Sequence, residues 1–308
     1  MRTLLWQRAL ASVVALTMAL VAWGPAGPAA ADPIFVGWSA VMPPLAATYN
    51  PDSSDDCVAG RVTCVTKTIR QMRKRFDPQA AACDHDAVFS LAYLRTTEAY
   101  LKATQTAGFF DNPSAVNHED AAFAQMYFNA YDDWATGRLS RVPPAWRVAL
   151  RAADEETVTG SGDLLLGINA HVNRDLPFVL FATGLVGDPR NKRDHDQVNR
   201  VLNSVVEPLL AEEAARFDPT IAQISTPYGV GYTGLLQLLV VWRENAWRQA
   251  ERLATAPDAA SRDQVAAEIE AAAESQAQAI LAKEAYQPPV TTTKARNSYC
   301  TASQGADY

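Results

Sequence analysis

The feature that most constrains this chain is its rhythm: from residue 62 to residue 284 apolar side chains return every three to four positions, and nothing alternates with period two for long. Such spacing paints one stripe along a helix, and stripes of this kind are buried by packing helix on helix. The spacing predicts helices at about 62–76, 86–107, 118–136, 144–153, 162–185, 195–215, 232–255 and 261–284. Asn117 followed by Asp120, Asp194 by Gln197 and Ser261 by Gln264 resemble N-caps with a polar reply at the third position. Gly108, Gly137, Gly187 and Pro257 mark ends. The expectation is one all-α bundle over 32–285, entered by a Pro-punctuated extended segment and followed by an extended tail, 286–308.

Residues 1–31 are written differently. Arg2 and Arg8 precede the apolar run Ala9 to Trp23, then Gly24-Pro25 breaks it and Ala29-Ala30-Ala31 closes it, the succession of a secretory signal peptide cleaved before Asp32. The longest later apolar run, Leu235 to Trp242, is eight residues, far short of the ~20 that span a bilayer. A secreted chain with no integral membrane segment after processing is expected. Four cysteines suit that oxidising destination, and of their three pairings Cys57 with Cys64 and Cys83 with Cys300 is favoured. With 27 Lys+Arg against 34 Asp+Glu, the net charge of −7 offers no basic footprint for nucleic acid.

Chemistry is sought where polar residues interrupt apolar faces. In GDLLLGINAHVNRDLPFVLFATG, His171 and Asp175 stand one turn apart on the face of Leu164, Ile168, Phe178 and Ala182. An unpaired charge there costs several kcal/mol, so a partner is required, and a divalent cation is one. The other candidate is Arg174, with His171, Asp175 and Arg174 forming a structural network in a non-catalytic protein. Pro177 withholds a backbone donor from Asn173 and is expected to kink the helix. His195 lies at the edge of the next apolar face, Glu98 falls between Leu91, Leu94 and Leu101, and Asp120 falls with Phe123 and Tyr127. There is no G-x-S-x-G elbow, P-loop, H-E-x-x-H or Gly-rich dinucleotide fingerprint.

The stretches FVGWSAVMPPL, GINAHVNRDLPF and HDQVNRVLN, with Cys57 and Cys64, together resemble an actinobacterial family of helical proteins catalogued as a domain of unknown function. More distantly, Gly167, His171 and Asp175 are similar to the G-x-x-x-H-x-x-x-D of zinc-dependent phospholipase C and P1-type nucleases, where the His and Asp bind zinc. Where those enzymes carry a second H-x-x-x-D or H-x-x-x-E, this chain has His195-x-x-x-Asn199. The combined expectation is a secreted metal-dependent hydrolase of a small-molecule or lipid ester or phosphoester. In it, His171, Asp175 and His195 ligate zinc, Glu98 or Asp120 completes the shell or acts as general base, and Asn173 and Arg174 orient the substrate.

Overall fold

Two residues that begin helices set the frame. Asn112 accepts from the amide of Ala115 and is followed by Pro113, while Asp188 accepts from the amide of Arg190 and is followed by Pro189. A short polar cap with proline in the first turn is a preorganised helix start. Both helices therefore open five or six residues earlier than the sequence spacing predicts, and the expected caps Asn117 and Asp194, with Asp120 and His195, sit inside the helices.

The computed structural model describes residues 48–225 and 230–304, which fall within one compact unit, Phe35–Tyr308. The predicted signal peptide lies outside the described residues. The fold is all-α: α1 (Val62–Ala82), α2 (Asp86–Thr104), α3 (Pro113–Ala135), α4 (Pro144–Asp154), α5 (Gly160–Ile168), α6 (Leu176–Ala182), α7 (Pro189–Arg216), α8 (Val230–Thr255), α9 (Ala259–Glu284) and α10 (Thr293–Ser303). Among the described residues a single β-bridge, Val158 with Ala285, ties the approach to α5 to the end of α9. No helix among the described residues is long and apolar enough to cross a membrane.

Between α5 and α6 the chain runs on as a π-helix, Asn169–Asp175. Pro177 has no N–H to return to the carbonyl of Asn173, and the turn before it widens, with the Leu176 amide reaching back five residues to the carbonyl of His171. Asn169 donates to the Ala273 carbonyl (2.9 Å) and Asn173 to Gln276 Oε1 (3.2 Å), which anchors this turn to α9. Gly167, one turn upstream, leaves room for Phe89: a Cβ there would stand 2.4 Å from its ring.

The two favoured cysteine pairs are both bonded, Cys57 to Cys64 and Cys83 to Cys300. The second fastens a tail that is not extended throughout, as expected, but helical from Thr293, because Thr292 caps the amide of Ala295 and Arg296 is buried against the carbonyls of Cys83 and Asp84.

Candidate functional site

Helix α2 carries a polar stripe on its buried side: Ser90, Tyr93, Thr97, Tyr100 and Thr104 recur at helical spacing and all are buried. Opposite it, α3 contributes Glu119, Asp120 and Phe123, the π-turn His171 and Val172, α7 a wall of Val198, Leu202 and Val206, and α8 Leu239 and Arg243. They line a cavity of ≈ 120 Å³ whose walls are mostly hydrocarbon. Four buried polar atoms on lining residues have no hydrogen-bond partner among the described residues: Tyr93 Oη, Thr97 Oγ1, Asp120 Oδ2 and His171 Nε2. Buried polar atoms are nearly always paired; of the fourteen side-chain atoms without a partner among the described residues, these four sit on residues that line one cavity.

His171 is held on every side. Phe123 stacks on its ring at 3.5 Å between centroids, with 6° between planes, and Tyr93 meets it edge-on at 4.3 Å. Its Nδ1 lies 3.1 Å from Asp175 Oδ2. That carboxylate also accepts from Trp146 Nε1 (2.8 Å) and Arg174 Nη1 (2.8 Å). Because the carboxylate accepts, Nδ1 carries the hydrogen, leaving the lone pair of the neutral ring on Nε2. Burial pulls the imidazole pKa down against the pull of Asp175, so the ring is neutral at neutral pH.

Asp120 is tuned the other way. Burial, and then the neighbouring carboxylate of Glu119, push it up to about 8, so at neutral pH it is a hydrogen-bond donor. Burial likewise pushes the Tyr93 and Tyr100 hydroxyls well above the usual phenol range. The cavity thus offers one neutral base and neutral O–H donors within a largely apolar wall.

The other residues singled out in the sequence are placed elsewhere. His195 is buried, yet Arg243 occupies both of its nitrogens: Nε2 donates to the Arg243 carbonyl (3.1 Å), and Nδ1 stands 3.3 Å from Arg243 Nη2. Asn199 accepts from Arg243 Nε at 3.1 Å. Arg174 gives its guanidinium to Glu270 (2.6 Å) and Asp175, and Asn173 faces Asn169 and Gln276, so both belong to the α9 contact and neither lines the cavity. Glu98 is not in an apolar stripe. The inward face of α2 passes through Thr97 and Tyr100, and Glu98 pairs with Arg73 (2.5 Å) and Arg95 (2.8 Å) near the surface.

A zinc ion does not fit this donor set. Of the nitrogens and oxygens of His171, Asp175 and His195, only His171 Nε2 is unengaged, and no group of three or more His, Cys, Asp or Glu side chains among the described residues is placed to hold a metal. Sequence reasoning missed Tyr93 and Thr97, although their own i, i+4 spacing and the i, i+3 spacing of each to Ser90 and Tyr100 on one face of the helix was the available signal.

Residues 65–283 match the family of unknown function DUF5995. The chain belongs to that family. Searches of curated proteins and of solved structures find no match. The stretch shared with DUF5995 takes in His171, Asp175, Asp120, Tyr93, Thr97 and Arg243, so the whole cavity lies within the family's bounds.

Proposed function

We propose that this protein binds a small, mostly hydrocarbon molecule bearing one polar group in the α2–α3–α7–α8 cavity, and that His171 and Asp120 serve there as base and acid. The observation that carries this reading is a mostly apolar cavity four of whose lining residues, Tyr93, Thr97, Asp120 and His171, each hold a buried polar atom without a hydrogen-bond partner among the described residues. A polar group of the ligand that pairs with one of these atoms after a small side-chain adjustment removes the cost of about 1–3 kcal/mol that an unsatisfied group imposes. A cavity near the volume that accepts a benzene-sized guest limits the ligand to about one ring. Phosphoesters fit poorly, since an anionic group gains little from hydrocarbon walls.

The chain's two disulfides, together with the charged, apolar and small-residue succession in residues 1–31, support an exported working place. Zinc hydrolysis of an ester, the expectation drawn from His171, Asp175 and His195, loses its support with its ligand set.

The test is occupancy. Cyclohexanone, titrated while ligand-observed NMR and thermal unfolding are followed, is expected to bind the purified protein and raise its Tm. Ala92→Phe, which fills the cavity from α2, is expected to abolish binding while keeping the helical circular dichroism. Binding that survives the filled cavity places the ligand elsewhere and overturns the reading.

A further inference from the structure

Resting on that reading, we infer a reaction: the cavity moves a proton at the carbon next to a carbonyl, with His171 Nε2 as the base and the Tyr93 hydroxyl and Asp120 carboxyl as donors to the carbonyl oxygen. The ligand class is then a small hydrophobic ketone or aldehyde of about one ring.

Three observations converge. His171 presents an unengaged nitrogen, and its tautomer is set by Asp175, which Trp146 and Arg174 hold in turn. Tyr93 packs edge-on against that imidazole, and its hydroxyl has no partner among the described residues. Asp120 lines the same cavity with Oδ2 unpartnered. A base and two neutral donors among mostly apolar walls are what an enolate needs, since donors aimed at the developing oxyanion are stronger in such surroundings than in water. Among the described residues no serine or cysteine lines the cavity, so a covalent acyl intermediate has no nucleophile of that kind among them.

The step balances without a co-reactant. Nε2 takes the proton from the α-carbon, the C–H pair becomes the C=C bond, and the carbonyl π pair moves onto oxygen, which accepts from Tyr93 and Asp120. The imidazolium exchanges its proton with solvent and then delivers one to the same carbon or to the far end of a conjugated system. Asp175 acts through His171 and is a positioning residue.

The charged and titratable groups around the pair are few: Glu119 beside Asp120 on α3, Asp175 on the π-turn, Arg243 on α8, and Tyr93 and Tyr100 on α2, while α5 and α7 present apolar side chains to the cavity. The rate is therefore expected to hold across neutral pH and to fall above about pH 8, where Asp120 loses its proton and stops donating.

The experiment follows deuterium uptake at the carbons flanking the carbonyl of cyclohexanone in D₂O by mass spectrometry, with NMR binding measured on the same samples. Uptake about a hundredfold faster than with equimolar free imidazole is expected. His171→Ala should bind the ketone yet lose the excess uptake. Asp120→Asn, which keeps a donor, should slow uptake less than about tenfold and abolish the fall above pH 8, whereas Asp120→Leu should slow it more than about a hundredfold. Asp175→Asn should lower the rate with binding unchanged, because its amide favours the other tautomer. If the native protein binds cyclohexanone but uptake does not exceed imidazole, the reaction is overturned and the binding reading stands. If it does not bind, both fall. A native pH profile without the fall above pH 8 removes Asp120 from the reaction whatever the variants do.

Discussion

Two buried histidine–aspartate pairs stand in this bundle, and they differ in what lies beyond the imidazole. His85 Nδ1 lies 2.6 Å from Asp163, and Tyr286 closes over the ring edge-on at 6.4 Å, leaving beside them a void of ≈ 10 Å³, scarcely enough for one water. His171 Nδ1 lies 3.1 Å from Asp175, with ≈ 120 Å³ of cavity beside the ring. The supports differ too. Trp146 and Arg174 share Asp175 with the imidazole, whereas Asp163 Oδ1 has no partner among the described residues and burial pushes that carboxyl up to about 6. The same two side chains make a structural clamp where the space is filled and a candidate base where it is left open.

The largest effect expected of that contrast is on stability. His85→Ala strands Asp163 in the core and should cost about 3–5 kcal/mol in urea unfolding, the range for breaking a buried pair. His171→Ala should cost only about 1–2 kcal/mol, since Asp175 keeps Trp146 and Arg174. Equal losses would break the distinction between the pairs.

Next comes the pH dependence of stability contributed by Asp120. Folded, it holds its proton up to about 8, while an unfolded aspartate releases it near 3.9, so unfolding releases a proton between those values. The native protein's stability should fall as pH rises through that window and level off above it. Asp120→Asn removes the effect, and the gap in Tm between variant and parent should widen from pH 4 to 8. A constant gap would mean that the carboxyl is not desolvated.

The smallest effect belongs to Glu98. Its partners are surface arginines, so Glu98→Ala should cost under about 1 kcal/mol and leave cyclohexanone affinity unchanged. A larger loss of binding would return it to the site.

The helices were legible because apolar spacing is a local property; their starts were less so. Asn112-Pro113 and Asp188-Pro189 were readable caps, but later cap-like pairs at Asn117 and Asp194 competed with them, and only tertiary packing decides between such candidates. The inward turn of His171 and Asp175 followed from their spacing. What satisfies Asp175 did not, because Trp146 is 29 residues away and arrives by the docking of α4. Glu98 misled for a related reason: a leucine pattern fixes a helix face only to within a residue, and Thr97 was one step away.

The π-turn at Asn169–Asp175 has a consequence for alignment along its own axis. A wide turn takes up chain without a protruding loop, so it works as a rotary offset between α5 on one side and α6 on the other. Removing one residue there would restore ordinary α-winding and swing Gly167, which nests Phe89, by roughly a quarter turn relative to Phe178 and the α6 contacts. A chain shortened by that one residue is expected to stay helical and lose the chamber.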